Sequence, residues 1–126
     1  MVGIVIVSHS ETLARGVVEL ASMMASDTPI AAAGGLEDGT LGTSFERICA
    51  AIDSVYSADG VLVLMDMGSA VMTAEMVLET MPDRKIALAD CPLVEGAVIA
   101  ATASAGGCAM EEIQAQLAED ACAHKF

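Results

Sequence analysis

The sequence has few positively charged and few aromatic side chains, and both shortages argue against the same class of protein. Only 5 Lys and Arg residues oppose 18 Asp and Glu residues, which gives a formal net charge of −13. Phosphate backbones repel such a surface, and an aromatic content of 2% leaves no stacking platform for bases. We therefore exclude nucleic-acid binding. The negative charge either attracts basic partners or only keeps the protein soluble.

Long apolar runs are also absent. Residues 96–110 form an uncharged stretch of 15 residues, which is rich in small side chains and too short to span a bilayer. The apolar stretch near the N-terminus covers only residues 4–7 and lacks the basic lead-in of a secretory signal. We therefore expect a cytoplasmic protein that does not contact a membrane.

Metal-binding spacing is missing as well. The chain has 4 cysteines and 2 histidines, and no two cysteines stand at C-x-x-C spacing, so we expect no metal site. Cys49, Cys108 and Cys122 are expected to be buried, reduced thiols that act as small apolar side chains. Cys91 precedes a proline and is expected to be a loop residue rather than a nucleophile.

Short apolar runs alternate with helical patterns along the whole chain. Strands are predicted at residues 2–7, 29–33, 60–65 and 86–89, with a helix after each and a last helix over about 110–121. The first run is β-branched throughout, which is typical of a strand buried on both faces. The pattern predicts one domain, residues 1–126, of the α/β class. Its doubly wound, mainly parallel four-stranded sheet would carry helices on both faces, with room for an extra edge strand.

Two capping boxes predict where the first two helices begin. Ser8 and Glu11 place the start of the first helix at His9 or just after it, and Thr43 and Glu46 mark the second. The apolar stripe predicted for the first helix consists of Leu13, Val17, Leu20 and Met24.

The loops that follow the four strands carry the polar and glycine-rich segments SHS, GGLEDGTLGTS, DMGS and DCP. Ligands of parallel sheets bind at this edge, so these loops are the candidate site. His9 is the only histidine among them, which makes it the first candidate functional residue. His124 lies near the chain end and is expected to be inert.

Several enzyme classes do not fit these loops. None contains lysine or a P-loop, no acidic pair follows the first strand as in a receiver domain, and no G-x-S-x-G elbow is present. The residues fit instead a nucleophilic histidine that takes a phosphoryl group on one ring nitrogen. Asp66 or a backbone carbonyl would accept the other N–H. The helix N-termini at His9, Thr43 and Ser69 would attract the phosphoryl oxygens.

Four segments carry a resemblance to a known family: VGIVIVSHS at 2–10, GGLEDGTLGTS at 34–44, DGVLVLMDMGSA at 59–70 and DCPLVEGA at 90–97. Together they resemble the phosphotransferase subunits of phosphoenolpyruvate-dependent dihydroxyacetone kinases. More distantly, they resemble the mannose-type IIA domains of the sugar phosphotransferase system (PTS). The similarity covers nearly the whole chain.

The resemblance implies that His9 is phosphorylated by the histidine phosphocarrier HPr and passes the group to ADP held on a separate kinase subunit. The resulting ATP would phosphorylate dihydroxyacetone on a third subunit, as a step of glycerol metabolism. It also implies a homodimer of the mannose-type IIA fold, with no cofactor bound by this chain. By position, Asp66 matches the residue that orients the histidine in mannose-type relatives.

The other loop residues form our predicted phosphoryl cradle: Ser10, Gly42, Thr43, Ser44, Gly68 and Ser69. Two alternative functions remain open at this point, a mannose-family sugar-transport IIA component and a non-catalytic regulatory module of the same fold. Glu75 and Glu95 are expected to be surface carboxylates.

Overall fold

Strands and helices alternate along the chain until the last two helices, which are consecutive. The computed structural model describes all residues, 1–126. The elements are β1 (Gly3–Ser8), α1 (Glu11–Met24), β2 (Ile30–Gly34), α2 (Phe45–Val55), β3 (Val61–Met65), α3 (Gly68–Glu79), β4 (Ile86–Ala89), α4 (Leu93–Ala105) and α5 (Met110–Asp120). The predicted order of elements is confirmed.

The four strands form one sheet in the order β2-β1-β3-β4, and every neighbouring pair is parallel. The doubly wound α/β fold is therefore confirmed, and the sheet has no additional edge strand. The chain leaves β1 toward β2 on one side and later returns to β3 on the other. The carboxyl ends of β1 and β3 are thus the point where the winding direction reverses, which is where such sheets bind ligands.

The two central strands, β1 and β3, are buried on both faces because they carry apolar side chains in both directions. Ile4 and Ile6 of β1 pack with α1, α4 and α5, whereas Val5 and Val7 pack with α2 and α3. The exposed fraction of these four β1 side chains is 0%. This packing fixes β1 in the centre of the molecule and presents its last residues at one edge.

The starts of the first two helices differ from the prediction. Ser10, not Ser8, caps α1, and its hydroxyl accepts a hydrogen bond from the Leu13 N–H at 3.1 Å. Ser44, not Thr43, caps α2 in the same way. Ser8 still belongs to β1, and its hydroxyl contacts the Asp66 carboxylate and the Ser10 N–H rather than the N–H groups of the first turn of α1.

The buried face of α1 is also displaced from the predicted stripe. Ala14, Val17 and Ala21 are buried, whereas Leu13, Leu20 and Met24 are 44%, 40% and 59% exposed. Small alanine side chains let the helix pack closely against the sheet and α4, so the contact favours them over the larger apolar residues next to them. Of the predicted stripe only Val17 is buried, so the spacing of large apolar residues predicted a face that overlaps the buried one at a single residue.

The cysteines are all free, and one of them contradicts the prediction. Cys122 is exposed, while Cys49, Cys91 and Cys108 are half-buried. Burial, followed by the nearby Asp90 carboxylate and Cys122, raises the pKa of the Cys91 thiol to about 11. The Cys91 thiol stays protonated at neutral pH, which agrees with its interpretation as a loop residue. No helix has both the length and the apolar surface needed to cross a bilayer.

Candidate active site

His9 and Asp66 follow two neighbouring strands and meet at the carboxyl edge of the sheet. Val7 of β1 is paired with Met65 of β3, so the residues that follow each strand lie side by side. The His9 Nδ1 atom is 3.0 Å from Asp66 Oδ1. The two side chains are 23% and 12% exposed, which leaves the imidazole open to solvent on one side.

The Asp66 carboxylate accepts hydrogen bonds on both oxygens. Oδ1 faces the His9 ring and accepts the Met67 N–H at 2.8 Å. Oδ2 accepts the Ser8 hydroxyl at 2.9 Å and the His9 backbone N–H at 3.0 Å. Burial raises the pKa of the Asp66 carboxyl, but the hydrogen bonds from His9 and Ser8 outweigh burial and hold the pKa below its ordinary value. Asp66 is therefore ionised at neutral pH.

An ionised Asp66 determines which ring nitrogen of His9 is reactive. A carboxylate only accepts hydrogen bonds, so the Nδ1 atom beside it carries the proton and Nε2 keeps its lone pair. The Ser69 hydroxyl lies 2.8 Å from Nε2 and donates to it. Nε2 thus carries the lone pair of the ring and faces the start of α3.

The N-terminus of α3 has no side-chain cap. Met67 holds the N-cap position without a capping hydrogen bond, and Gly68 and Ser69 in the first turn are exposed. The first N–H groups of a helix have no partner within it, and they carry partial positive charge. The predicted cradle residues Gly68 and Ser69 therefore lie where backbone donors remain available.

Ser10 and Ser44 make other contacts than those predicted. The Ser10 hydroxyl caps α1, and its N–H donates to the Ser8 Oγ at 3.0 Å. The Ser44 hydroxyl caps α2 by accepting the Arg47 N–H and also donates to the Glu37 carboxylate, which holds the pKa of Glu37 below its ordinary value. Both hydroxyls hold the loops in place.

Gly42 and Thr43 connect the loop after β2 to the other parts of the site. The Gly42 N–H donates to the His9 carbonyl at 2.8 Å, and its φ of +148° favours glycine. The Thr43 hydroxyl is 2.9 Å from that of Thr73, one turn along α3 from Ser69. Gly42 therefore supports the His9 backbone, and Thr43 ties the loop to α3.

Two residues of the candidate loops were given no role at the site from the sequence. Ser8 was interpreted as a helix cap, although a hydroxyl at the end of an apolar buried strand was a signal for a buried contact. Gly34 ends β2 directly under α1, where a Cβ atom would lie 2.5 Å from the Ser10 carbonyl oxygen. That close approach holds the start of α1 against the sheet and so supports His9.

A cavity lies next to the His9–Asp66 pair, but no cluster of metal ligands does. An open cavity of about 450 Å³ lies next to Asp66, between the ends of β3 and β4, and is lined in part by Met67, Val71 and Leu88. No group of three or more His, Cys, Asp or Glu side chains is arranged to hold a metal ion.

A parallel sheet that ends in a histidine–aspartate pair is the arrangement expected of a phosphotransferase IIA domain. The model of the family described as "PTS system fructose IIA component" matches residues 3–114. The chain belongs to this family.

Curated relatives of the chain are named as subunits of dihydroxyacetone kinases. The chain is 42% identical over 115 residues to the "PTS-dependent dihydroxyacetone kinase, phosphotransferase subunit DhaM" of Lactococcus lactis, covering 91% of this chain and 92% of that protein. It is 44% identical over 120 residues to the "phosphoryl donor subunit DhaM" of Escherichia coli, covering 90% of this chain. The match spans only 25% of the longer Escherichia coli protein.

A solved structure supports the same fold. The crystal structure of EF1359, described as a protein of unknown function, superposes with a TM-score of 0.83 at 28% sequence identity. The match covers 100% of this chain and 99% of that one. The whole chain, including α4 and α5, therefore follows a fold already seen by crystallography.

Proposed function

We propose that this chain is a phosphohistidine carrier that accepts a phosphoryl group from HPr and passes it to ADP on a partner subunit of dihydroxyacetone kinase. The observation that carries the proposal is the orientation of His9. Asp66 holds Nδ1 at 3.0 Å, and Nε2 faces the uncapped start of α3. The DhaM names of the relatives from Lactococcus lactis and Escherichia coli support the choice of kinase system.

Transfer to this chain begins at Nε2. The Ser69 hydroxyl releases Nε2, whose lone pair attacks the phosphorus of the donor's phosphohistidine. The new N–P bond forms while the donor's N–P bond breaks, and the donor nitrogen leaves with the electron pair. The ring of His9 gains positive charge, which the Asp66 carboxylate stabilises. Ser69 and the first N–H groups of α3 then donate to the phosphoryl oxygens.

Transfer onward reverses these bonds. A terminal oxygen of the ADP β-phosphate attacks the phosphorus, the Nε2–P bond breaks, and the electron pair returns to the imidazole. The products are ATP on the partner subunit and His9 in its starting tautomer. ADP belongs on the partner because the loops at this edge contain no lysine to meet its phosphates.

The proposal extends to partners and location. HPr is the phosphoryl donor, and an acidic chain of net charge −13 favours encounter with a basic face on it. The ADP-binding and dihydroxyacetone-binding subunits are the kinase partners, and the chain acts as a cytoplasmic homodimer in glycerol metabolism.

A sugar-transport IIA component is the second candidate function. The family description, a fructose IIA component, supports it. The 42% identity to a dihydroxyacetone kinase subunit, over 92% of that protein, favours the kinase system. The two candidates share the chemistry at His9 and differ only in the final acceptor.

The test uses radiolabelled phosphoenolpyruvate with the general PTS proteins, enzyme I and HPr. We expect acid-labile label on this chain that requires HPr. The labelled chain is then mixed with the ADP-binding subunit, ADP, the dihydroxyacetone-binding subunit and dihydroxyacetone, and labelled dihydroxyacetone phosphate is expected. Transfer of label to a sugar-transport component instead would select the second candidate, and no label on the chain would refute both.

A further inference from the structure

The last residue of β1, Ser8, is a serine in a strand that is otherwise Gly, Ile and Val. Its side chain has no exposed surface. A buried hydroxyl is unfavourable unless its hydrogen bonds are made inside the protein. The hydrogen-bond partners of Ser8 therefore indicate the role of a hydroxyl at this position.

The hydrogen-bonding chemistry of Ser8 fixes the direction of its proton. A backbone N–H can only donate, so the Ser8 Oγ accepts from Ser10 at 3.0 Å. An ionised carboxylate can only accept, so the single hydroxyl proton points to Asp66 Oδ2, 2.9 Å away. Ser8 thus joins the start of α1 to the carboxylate that contacts His9.

Ser8 is also the only side chain apart from His9 that donates to Asp66. The other donors are the backbone N–H groups of His9 and Met67, which almost any residue at those positions would supply. Ser8 and the His9 N–H together hold Oδ2, so the other oxygen, Oδ1, is directed at Nδ1. The identity of residue 8 therefore controls how firmly the carboxylate faces the imidazole.

We infer that Ser8 is a positioning residue, whose hydroxyl orients Asp66 so that His9 stays in the Nδ1–H tautomer with Nε2 free for the phosphoryl group. The inference rests on the proposed function for its effect on transfer. Its effect on the tautomer is independent of any phosphoryl donor, so the two can be tested separately.

The experiment compares Ser8→Ala with the wild type by nitrogen NMR of the His9 imidazole and by the rate of phosphoryl transfer from HPr. We expect the population of the Nε2–H tautomer to rise and transfer to slow about 10-fold, which is less than the ~10²-fold that a misplacement of about 1 Å can cost. Ser8→Thr keeps a hydroxyl and should recover most of both properties.

Ser104→Ala is the matched control. Ser104 is also fully buried, and its hydroxyl donates to the Val2 carbonyl at 2.6 Å, near the opposite end of β1. Ser104→Ala loses one buried hydrogen bond and Ser8→Ala loses two, so both variants should lose stability, but only Ser8→Ala should change the tautomer and the transfer rate. A Ser8→Ala protein that loses stability alone would overturn the inference.

A further variant covers the case in which Ser8→Ala does not fold. Ser8→Cys preserves the size of the side chain with a weaker donor, and its tautomer population should lie between those of the wild type and an unrestrained histidine. A wild-type tautomer in Ser8→Cys would overturn the inference. Absence of label on the wild-type chain would refute the proposed function, and the NMR comparison would still decide the role of Ser8.

Discussion

Helices α1, α2 and α3 all begin at the carboxyl edge of the sheet, yet their first turns are completed differently. Ser10 and Ser44 cap α1 and α2 through their hydroxyls. α3 begins at Gly68 after a methionine that makes no capping bond, and its first turn contacts His9 through Ser69. At each capped end a serine hydroxyl accepts one N–H of the first turn, whereas the first turn of α3 has no such side-chain acceptor and keeps its donors for a ligand.

This difference shows that polar composition is a poor guide to a ligand site. Three serines, Ser10, Ser44 and Ser69, come from similar polar segments of the sequence. All three were predicted to hold the phosphoryl group. In the structure, Ser10 and Ser44 cap helices, whereas Ser69 faces His9 Nε2. The hydrogen-bond partners of a hydroxyl, rather than its presence, separate the two roles.

The largest expected effect is at the nucleophile that faces the uncapped helix. His9→Ala should abolish labelling from phosphoenolpyruvate, because no other group at this edge can accept the phosphoryl group as His9 Nε2 does. His124→Ala, which removes the other histidine, should label normally. Label retained by His9→Ala in the same assay would show that the phosphoryl group is carried elsewhere.

The second effect concerns the partner of the imidazole. Asp66→Asn preserves shape but removes the charge that fixes the tautomer, so transfer should slow about 10–10³-fold, less than the ~10⁴-fold of the comparable change in a buried serine-protease triad. Rapid-quench transfer rates and the unfolding midpoint should be measured together. A lowered unfolding midpoint with a normal transfer rate would show that Asp66 has only a structural role.

Ser69→Ala tests the uncapped helix directly. Its hydroxyl donates to Nε2 in the resting state and, as proposed, to the phosphoryl oxygens during transfer, so the rate should fall about 5–30-fold. The midpoint of unfolding should stay unchanged, since the Ser69 hydroxyl is exposed and caps nothing. A large loss of stability in this variant would place Ser69 with the capping serines instead.

Ser44→Ala should give the opposite pattern. Loss of the α2 cap is expected to cost about 1 kcal/mol of unfolding free energy, which corresponds to a fall of about 4 °C in Tm for a domain of this size. The transfer rate should remain near that of the wild type. A slow but stable Ser44→Ala protein would show that the capped and uncapped helix ends both serve the phosphoryl group.

The smallest effect is the pH dependence of the contribution of Asp66 to stability. The pKa of Asp66 is below its ordinary value of 3.8 in the folded protein, so the folded state holds the ionised form more strongly than the unfolded state does. Its stabilisation is complete above pH 3.8 and is lost as the pH falls through the lower, folded-state value. The difference in Tm between the wild type and Asp66→Asn should therefore narrow below about pH 4. A difference that stays constant to pH 2 would contradict the low pKa.

The sequence by itself determined the framework of this protein. The β-branched run of β1 and the alternation of apolar runs with helical patterns predicted a parallel sheet, because strands covered on both faces need apolar side chains in both directions. The same reasoning predicted that His9 and Asp66 lie at one edge, since parallel strands end on the same side. The helix predicted after the fourth strand is also present, as α4.

The tertiary structure alone decided which polar groups remain free and which helix face is buried. Alanines rather than the nearby leucines of α1 face the sheet, because the available gap, not the apolarity of each residue, selects the side chains that fit it. Ser8 and Asp66 are 58 residues apart along the chain, and their hydrogen bond exists only because β1 and β3 are neighbours. Local sequence patterns place polar residues at one edge of the sheet, but they do not show which hydroxyl there contacts which carboxylate.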